Sequence, residues 1–405
     1  MDITKLDSCL ACGGTDLELV LDLKDQPLAN NFLKSSTDPE PIYPLAVNLC
    51  KHCCHLQLTH AVDPALIYTH YLYVSGTSRT QHDYMEWFVG FANEYFDKRP
   101  DKVLDIGCND GTQLDYFKKT GVATYGIDPA ENLYSTSSAN HNIVCDFFNE
   151  STANEFLAKY GQVDLVVAQN SFAHNPDPLA YLLALKPILN PDGLFMIQTS
   201  QADMVLNNEF DTIYHEHVNF YNINSMRELC ARAGYNLVDV QKTPCHGTSY
   251  VFVLGINQSR PHRVNNLLDF ERQKGLTDVK TYYEWADTVN ATVKKLYAHC
   301  ELFKKQGYLL IGYGAAAKGN TLLNFSGIQL DMIIDDNPMK QGLVSPGRHI
   351  PVVGIQALEK ISHKQAVLFM PLAWNFYKEI CGRIQSYRDI DADRFIRYFP
   401  EVRVE

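Results

Sequence analysis

The 405-residue chain lacks any apolar run approaching the ~20 residues a membrane-spanning helix requires. Its first residues, Met1-Asp-Ile-Thr-Lys-Leu-Asp7, have no apolar core of the kind a secretory signal needs. No cluster of Lys or Arg interrupts a formal net charge of −12, so the basic stripe of a phosphate-backbone binder is missing and nucleic acid is a poor partner. Low-complexity tracts and short-period repeats are absent. Charged residues make up only 20% against 46% hydrophobic, which argues against wholesale disorder and supplies core for two or three domains. The eleven cysteines are an odd number and fit a reducing compartment better than complete disulfide pairing. These absences together predict a cytoplasmic protein with no membrane segment.

The spacing of apolar residues divides the chain into three parts. Residues 1–65 read as short and turn-rich, and they hold two cysteine pairs. A helical stretch from Asp63 to about Pro100, with Tyr84, Trp87, Phe88, Phe91 and Phe96 at helix-like intervals, leads into residues 66–260. Strands then alternate with helix-length segments: Val103–Ile106, Tyr125–Ile127, Val163–Ala168 and Leu194–Gln198. That alternation predicts an α/β fold with a parallel, doubly wound sheet. Residues 261–405 begin with a helical connector to about 305, broken only by Gly275. A second α/β unit follows, with strands at 308–314, 332–335 and 366–370.

Cys9-Leu-Ala-Cys12 and Cys50-Lys-His-Cys53 are two C-x-x-C knuckles. Two such knuckles can place four thiolates tetrahedrally around Zn²⁺, and four cysteines leave no open position for a substrate, so the metal is expected to be structural. His52, Cys54 and His55 are available as substitutes in the second knuckle. Cysteines standing singly in apolar stretches, such as Cys145, Cys230 and Cys300, read as buried thiols.

Asp105-Ile-Gly107-Cys-Asn109-Asp-Gly111 follows a predicted strand and opens a predicted helix, where a glycine-rich turn lets backbone approach a ligand. Its G-x-x-x-G spacing differs from the G-x-G-x-x-G of dinucleotide binders. Asp128, at the end of the next strand, lies where a carboxylate for ribose hydroxyls is expected. Asp146 and Phe147 offer a carboxylate and a ring for an adenine. Gln169-Asn170-Ser-Phe-Ala-His174-Asn-Pro-Asp177 follows the third strand, where open α/β sheets bind ligands. Tyr214-His215-Glu216-His217 concentrates titratable and phenolic groups without the H-E-x-x-H pattern of a catalytic zinc helix.

These motifs resemble, in order, one family: the S-adenosylmethionine-dependent sugar C-methyltransferases that act on nucleotide-linked 4-keto-deoxyhexoses. Gly312-Tyr-Gly314-Ala-Ala-Ala-Lys318-Gly-Asn320 and Ile334-Asp-Asp-Asn-Pro-Met-Lys-Gln-Gly-Leu343 extend the resemblance across essentially the whole chain. It implies a zinc-binding N-terminal domain, a Rossmann-like methyl-donor domain and a C-terminal α/β domain that helps to hold the nucleotide-sugar. It further implies that Gly107, Asn109 and Gly111 border the methionine part of the donor, that Asp105 faces its ammonium, and that Asn170 lines the same pocket. His217 is implied as the base for the sugar's C3 proton. Glu216 and Tyr214 would orient it or polarise the carbonyl, and His174 would stabilise enolate charge. Tyr71 and Tyr73, in Tyr71-Leu-Tyr73-Val-Ser75-Gly-Thr-Ser78, would reach the sugar, and Lys318 and Asn320 its nucleotide. Two other readings compete: a nicotinamide-dependent oxidoreductase using the Gly312–Lys318 turn with Asp335 or Asp336 as ribose acid, and a non-enzymatic zinc adaptor.

Overall fold

In a computed structural model, residues 2–69, 71, 74–77, 79–199, 204–245 and 249–405 are described. The chain forms two compact units: residues 1–18, 48–203 and 216–279 make up the first, and 19–47, 204–215 and 280–405 the second.

In the first unit the apolar runs become the centre of a seven-stranded sheet. Its spatial order is Asn236–Thr243, Ser249–Gly255, Leu189–Thr199, Val163–Gln169, Lys102–Ile106, Ala123–Ile127, Asn142–Val144. The last five are mutually parallel. The first two join as an antiparallel pair on the side of Leu189–Thr199, an addition that the alternating pattern did not predict. The central strands are apolar almost throughout because both faces are covered. Leu104, Ile106, Val166 and Ala168 point into one core, and Val103, Leu165 and Val167 into another.

Lys102–Ile106 is followed in sequence by strands on one side and later by Val163–Gln169 on the other. The chain therefore reverses its winding between these two neighbours, and a ligand crevice is expected beyond their carboxyl ends. Gly107–Gly111 and Asn170–His174 both emerge there.

The helical stretch after residue 63 is interrupted. The described residues give a short helix Pro64–Tyr68, a 3-10 turn Ser75–Thr77 and a helix Arg79–Asn93, which buries Tyr84, Phe88 and Phe91 and leaves Trp87 42% exposed. The N-terminal region is less turn-rich than expected: Leu17–Pro27 and Ile42–Cys50 are long strands.

The second unit has a six-stranded sheet in the order Val352–Val353, Met332–Ile334, Leu309–Tyr313, Val367–Pro371, Arg394–Arg397, Arg403–Val404, parallel except for the final pair. Ala317–Ser326 follows its glycine turn as a helix. The expected connector is two helices, Pro261–Gln273 and Val279–Lys305, separated at Gly275 with φ +74°. Among the described residues no helix is long and apolar enough to cross a membrane.

Candidate active site

The two knuckles converge. The Sγ atoms of Cys9, Cys12, Cys50 and Cys53 lie within 4.8 Å of one another, with Cys9–Cys53 and Cys12–Cys50 both at 3.5 Å. Tetrahedral Zn²⁺ with sulfur bonds of 2.3 Å needs sulfurs about 3.8 Å apart, so the four residues fit the ion. Backbone N–H groups of Cys12 and Gly14 point at the sulfurs of Cys9 and Cys12, both at 3.4 Å. Hydrogen bonds from the Cys53 and Cys9 thiols pull Cys50 down, and the same bonds push Cys9 up to about 12 and Cys53 higher still. A bound dication removes that conflict.

The alternative ligands lie elsewhere. His52 is exposed. The ring nitrogens of His55 meet Ser225 Oγ (3.3 Å) and Asn219 Oδ1 (3.0 Å), and burial lowers its pKa to about 4. Cys54 is outside the four-sulfur group, with its thiol pushed up to about 11 by burial. Cys9, Cys50 and Cys53 share an apolar core with the donor sheet and with helix Ile223–Ala233. Cys230 and Cys300 are buried thiols as expected, but Cys145 is exposed; it sits just past the short strand Asn142–Val144, at the sheet's edge.

At the glycine turn, Gly107 has φ +83° and Gly111 φ +84°, conformations that cost a side chain dearly. A Cβ on Gly107 would also fall 2.4 Å from that of Ser171, whose hydroxyl donates to the Ile106 carbonyl (2.6 Å). The turn is thus locked to the loop that carries His174. Asp128 accepts the N–H of Asn109 on one oxygen and that of Ala130 on the other, both at 2.8 Å. Asn109 spends its Oδ1 on the Ser75 N–H (3.0 Å).

Asp105 is 2% exposed, and its Oδ1 is buried without a hydrogen-bond partner among the described residues. Burial, then the charges of Asp128 and Asp110, push its carboxyl from 3.8 to about 8. A buried acid with an unused oxygen beside a glycine turn fits a ligand that brings a cation, as the ammonium of S-adenosylmethionine does. Asn170, with φ +53°, ends the neighbouring strand. Asp146 is exposed and accepts the Phe147 N–H at 2.7 Å, while Phe147 is half-buried.

His174 and His217 belong to a column of rings. Tyr68 stacks on His174 (centroids 5.2 Å, planes 7° apart), and His174 stacks on His217 (5.4 Å, 22°). Tyr71 meets Tyr68 edge-on at 5.6 Å. Tyr68 donates to the Glu216 carbonyl (3.2 Å), and Tyr71 donates to Glu216 Oε2 (2.6 Å). Glu216 and His217 are buried at 4% and 8% exposure. His174 Nε2 is buried with no hydrogen-bond partner among the described residues, and burial lowers the ring to about 3, so this imidazole is neutral at neutral pH. Tyr73 lies outside the described residues. Tyr68 was missed by the sequence reading; 148 residues separate it from Glu216, and no local pattern marks it.

Tyr214 and His215 belong to the second unit. His215 is buried, its Nε2 at 3.3 Å from the Tyr43 carbonyl and its pKa lowered to about 4 by burial. Tyr214 is half-buried. Lys318 Nζ stands 4.7 Å over the Trp374 ring, whose Nε1 donates to the buried Asp211 (2.8 Å); Tyr398 donates to the same oxygen (2.8 Å). Asn320 is 1% exposed and donates to the Ala29 carbonyl (2.8 Å).

Three family models match the chain in order: a zinc binding domain over residues 9–68, a methyltransferase domain over 78–240, and a C-methyltransferase C-terminal domain over 244–400. The C-methyltransferase NovU of Streptomyces niveus is 30% identical over 99% of this chain and 97% of its own length. The ubiquinone biosynthesis O-methyltransferase of Neisseria meningitidis serogroup C is 26% identical over 44% of this chain and 82% of its own. Among solved structures, the Burkholderia thailandensis 1,6-didemethyltoxoflavin-N1-methyltransferase, with bound 1,6-didemethyltoxoflavin and S-adenosylhomocysteine, matches at 20% identity and TM-score 0.33, over 43% of this chain and 76% of that one. The full-length match and the C-terminal model leave no room for an oxidoreductase or a non-enzymatic adaptor. The chain belongs to the S-adenosylmethionine-dependent C-methyltransferases, built with a zinc-binding module ahead of the donor fold.

Proposed function

We propose that this enzyme methylates C3 of a nucleotide-linked 4-keto-deoxy sugar through an enolate, and that it works in the cytoplasm, where a four-thiol cluster stays reduced. The observation that carries the reading is the stacked pair His174–His217 beside Glu216, adjoining the donor turn. Carbon is a poor nucleophile until a proton is lost, so a C-methyltransferase needs a base, and a proton next to a carbonyl is acidic enough for an imidazole.

His217 takes the C3 proton. Glu216, held by the Tyr71 phenol, orients that ring; the resemblance gives Tyr214 a share in that orientation or in polarising the carbonyl. His174, neutral and desolvated, stabilises the charge that develops on the sugar's oxygen, a role that is strongest in a dry site. S-adenosylmethionine, when bound, supplies an electrophilic methyl group on a sulfonium. Asp105 holds its ammonium, Asp128 its ribose, and Gly107, Asn109, Gly111, Asn170, Asp146 and Phe147 frame the rest. By the family resemblance Tyr71 and Tyr73 would reach the sugar, and Lys318 and Asn320, early in helix Ala317–Ser326, its nucleotide.

His217→Asn tests the reading. With S-adenosylhomocysteine in the pocket, the wild-type enzyme should exchange the sugar's C3 hydrogen for solvent deuterium, and the variant should not. Turnover should fall ~10²–10⁴-fold with donor affinity intact. Exchange at wild-type rate in the variant would remove His217 as the base; no exchange in the wild type on any 4-keto sugar nucleotide that it methylates would remove the enolate.

A further inference from the structure

The backbone that delivers Tyr71 is tied to the donor side of the first unit. Asn132 makes a two-way bond with it: Oδ1 accepts the Tyr71 N–H at 3.1 Å, and Nδ2 donates to the Tyr71 carbonyl at 2.9 Å. Four residues on, Asn109 Oδ1 accepts the Ser75 N–H and Asp110 Oδ2 the Gly76 N–H, both at 3.0 Å. On the near side, the Glu131 N–H reaches the Thr69 carbonyl at 3.2 Å. Asn132 itself stands in the first turn of helix Glu131–Ser137, which starts directly after Asp128 caps the Ala130 N–H. At the far end of the same tyrosine, the phenol donates to Glu216 Oε2 at 2.6 Å.

A primary amide is the side-chain group that offers one acceptor and a pair of donors in one plane, so it can meet both polar groups of a single residue's backbone as a neighbouring strand would. Holding both groups fixes where Tyr71 sits and how its backbone is turned. A phenol has two side-chain torsions, each confined to a few wells, so a fixed backbone leaves little freedom in where its hydroxyl ends. A carboxylate gains most from a hydrogen bond where the donor is held in place, and the clamp holds the half-buried Tyr71.

We propose that Asn132 is a positioning residue of the methyl-transfer site, which sets the Tyr71 phenol on Glu216 and through it the orientation of His217. The inference rests on the reading of Glu216 and His217 as the reacting end.

The test is a double-mutant cycle in the full-length, zinc-loaded enzyme with Asn132→Ala, Tyr71→Phe and the pair. Asn132 is exposed, so Asn132→Ala should fold and bind S-adenosylhomocysteine as wild type does. Its kcat should fall about tenfold with the sugar KM little changed. Tyr71→Phe should lose at least as much, and the double variant no more than Tyr71→Phe alone, because Asn132 has nothing left to position. Wild-type kcat in Asn132→Ala, losses that multiply in the pair, or a loss confined to KM or donor affinity would each overturn the proposal. If His217→Asn keeps full turnover, the reading beneath it fails instead; a dead His217→Asn with an unaffected Asn132→Ala sinks this inference alone.

Discussion

Replacing Asp105 with asparagine removes a buried carboxylate whose Oδ1 has no hydrogen-bond partner among the described residues. Burial and two neighbouring acids hold this carboxyl at about 8, so at about pH 6.5 the free protein carries it protonated. An ammonium bound against it favours the ionised form. Donor binding must therefore expel close to one proton at that pH. Each pH unit below the carboxyl's pKa costs about 1.4 kcal/mol of binding, so affinity should rise about tenfold per unit from about pH 6 toward 8. Beyond that an α-amino group itself titrates, at about 7.7–8.0, and the rise should end.

Calorimetry with S-adenosylhomocysteine in two buffers of different ionisation heat reads the proton directly. In Asp105→Asn the proton release should vanish and the affinity should be nearly flat over the same range. A second consequence concerns the free fold. A carboxyl raised above its ordinary 3.8 contributes stability that is fully present below that value and is lost as pH rises through about 8. Wild-type protein should thus lose stability relative to Asp105→Asn by up to about 1.4 kcal/mol per pH unit across that window. No net proton exchange on binding at about pH 6.5, or equal release by wild type and variant, would refute the placement of Asp105 against the ammonium.

Two further outcomes follow from the same geometry. Freshly purified protein should carry about one Zn²⁺ per chain by elemental analysis, and Cys12→Ser should lower the melting temperature while leaving the surviving folded enzyme competent, because the cysteine cluster shares the core of the donor unit but has no open ligand position; chelator-free protein without zinc would contradict this. Asp128→Ala should weaken S-adenosylhomocysteine binding by about tenfold to a hundredfold, through lost ribose contacts and through release of the Asn109 and Ala130 N–H groups it now holds, and calorimetry showing unchanged affinity would remove it from the pocket.

The strands Val163–Gln169 and Leu309–Tyr313 were legible because a parallel strand buried on both faces has to be apolar throughout. The pair Asn236–Thr243 and Ser249–Gly255 was passed over, although Ser249–Gly255 is buried along its whole length. Nothing local states that it returns antiparallel beside Leu189–Thr199. The strand Leu17–Pro27 has leucine at 17, 19, 21 and 23 in strict alternation, a strand signal that the neighbouring cysteine pairs obscured.

The chain's own order of residues determined the four cysteines, the glycine turn with its leading acid, and the histidines of the two loops, because each depends on residue types at short, fixed spacing. Only the tertiary structure decided which of these groups are left unsatisfied and which touch. The sequence marks Asn109 only as part of the glycine turn; the fold brings its Oδ1 to the Ser75 N–H, 34 residues away. Tyr71 and Asn132 are 61 residues apart in sequence and share two hydrogen bonds, and Tyr71 meets Glu216 across 145. Such contacts arise from where the doubly wound sheet delivers its loops, and hydrogen-bond partners and burial, which set the charge state of Asp105 and of His174, exist only once those loops have met.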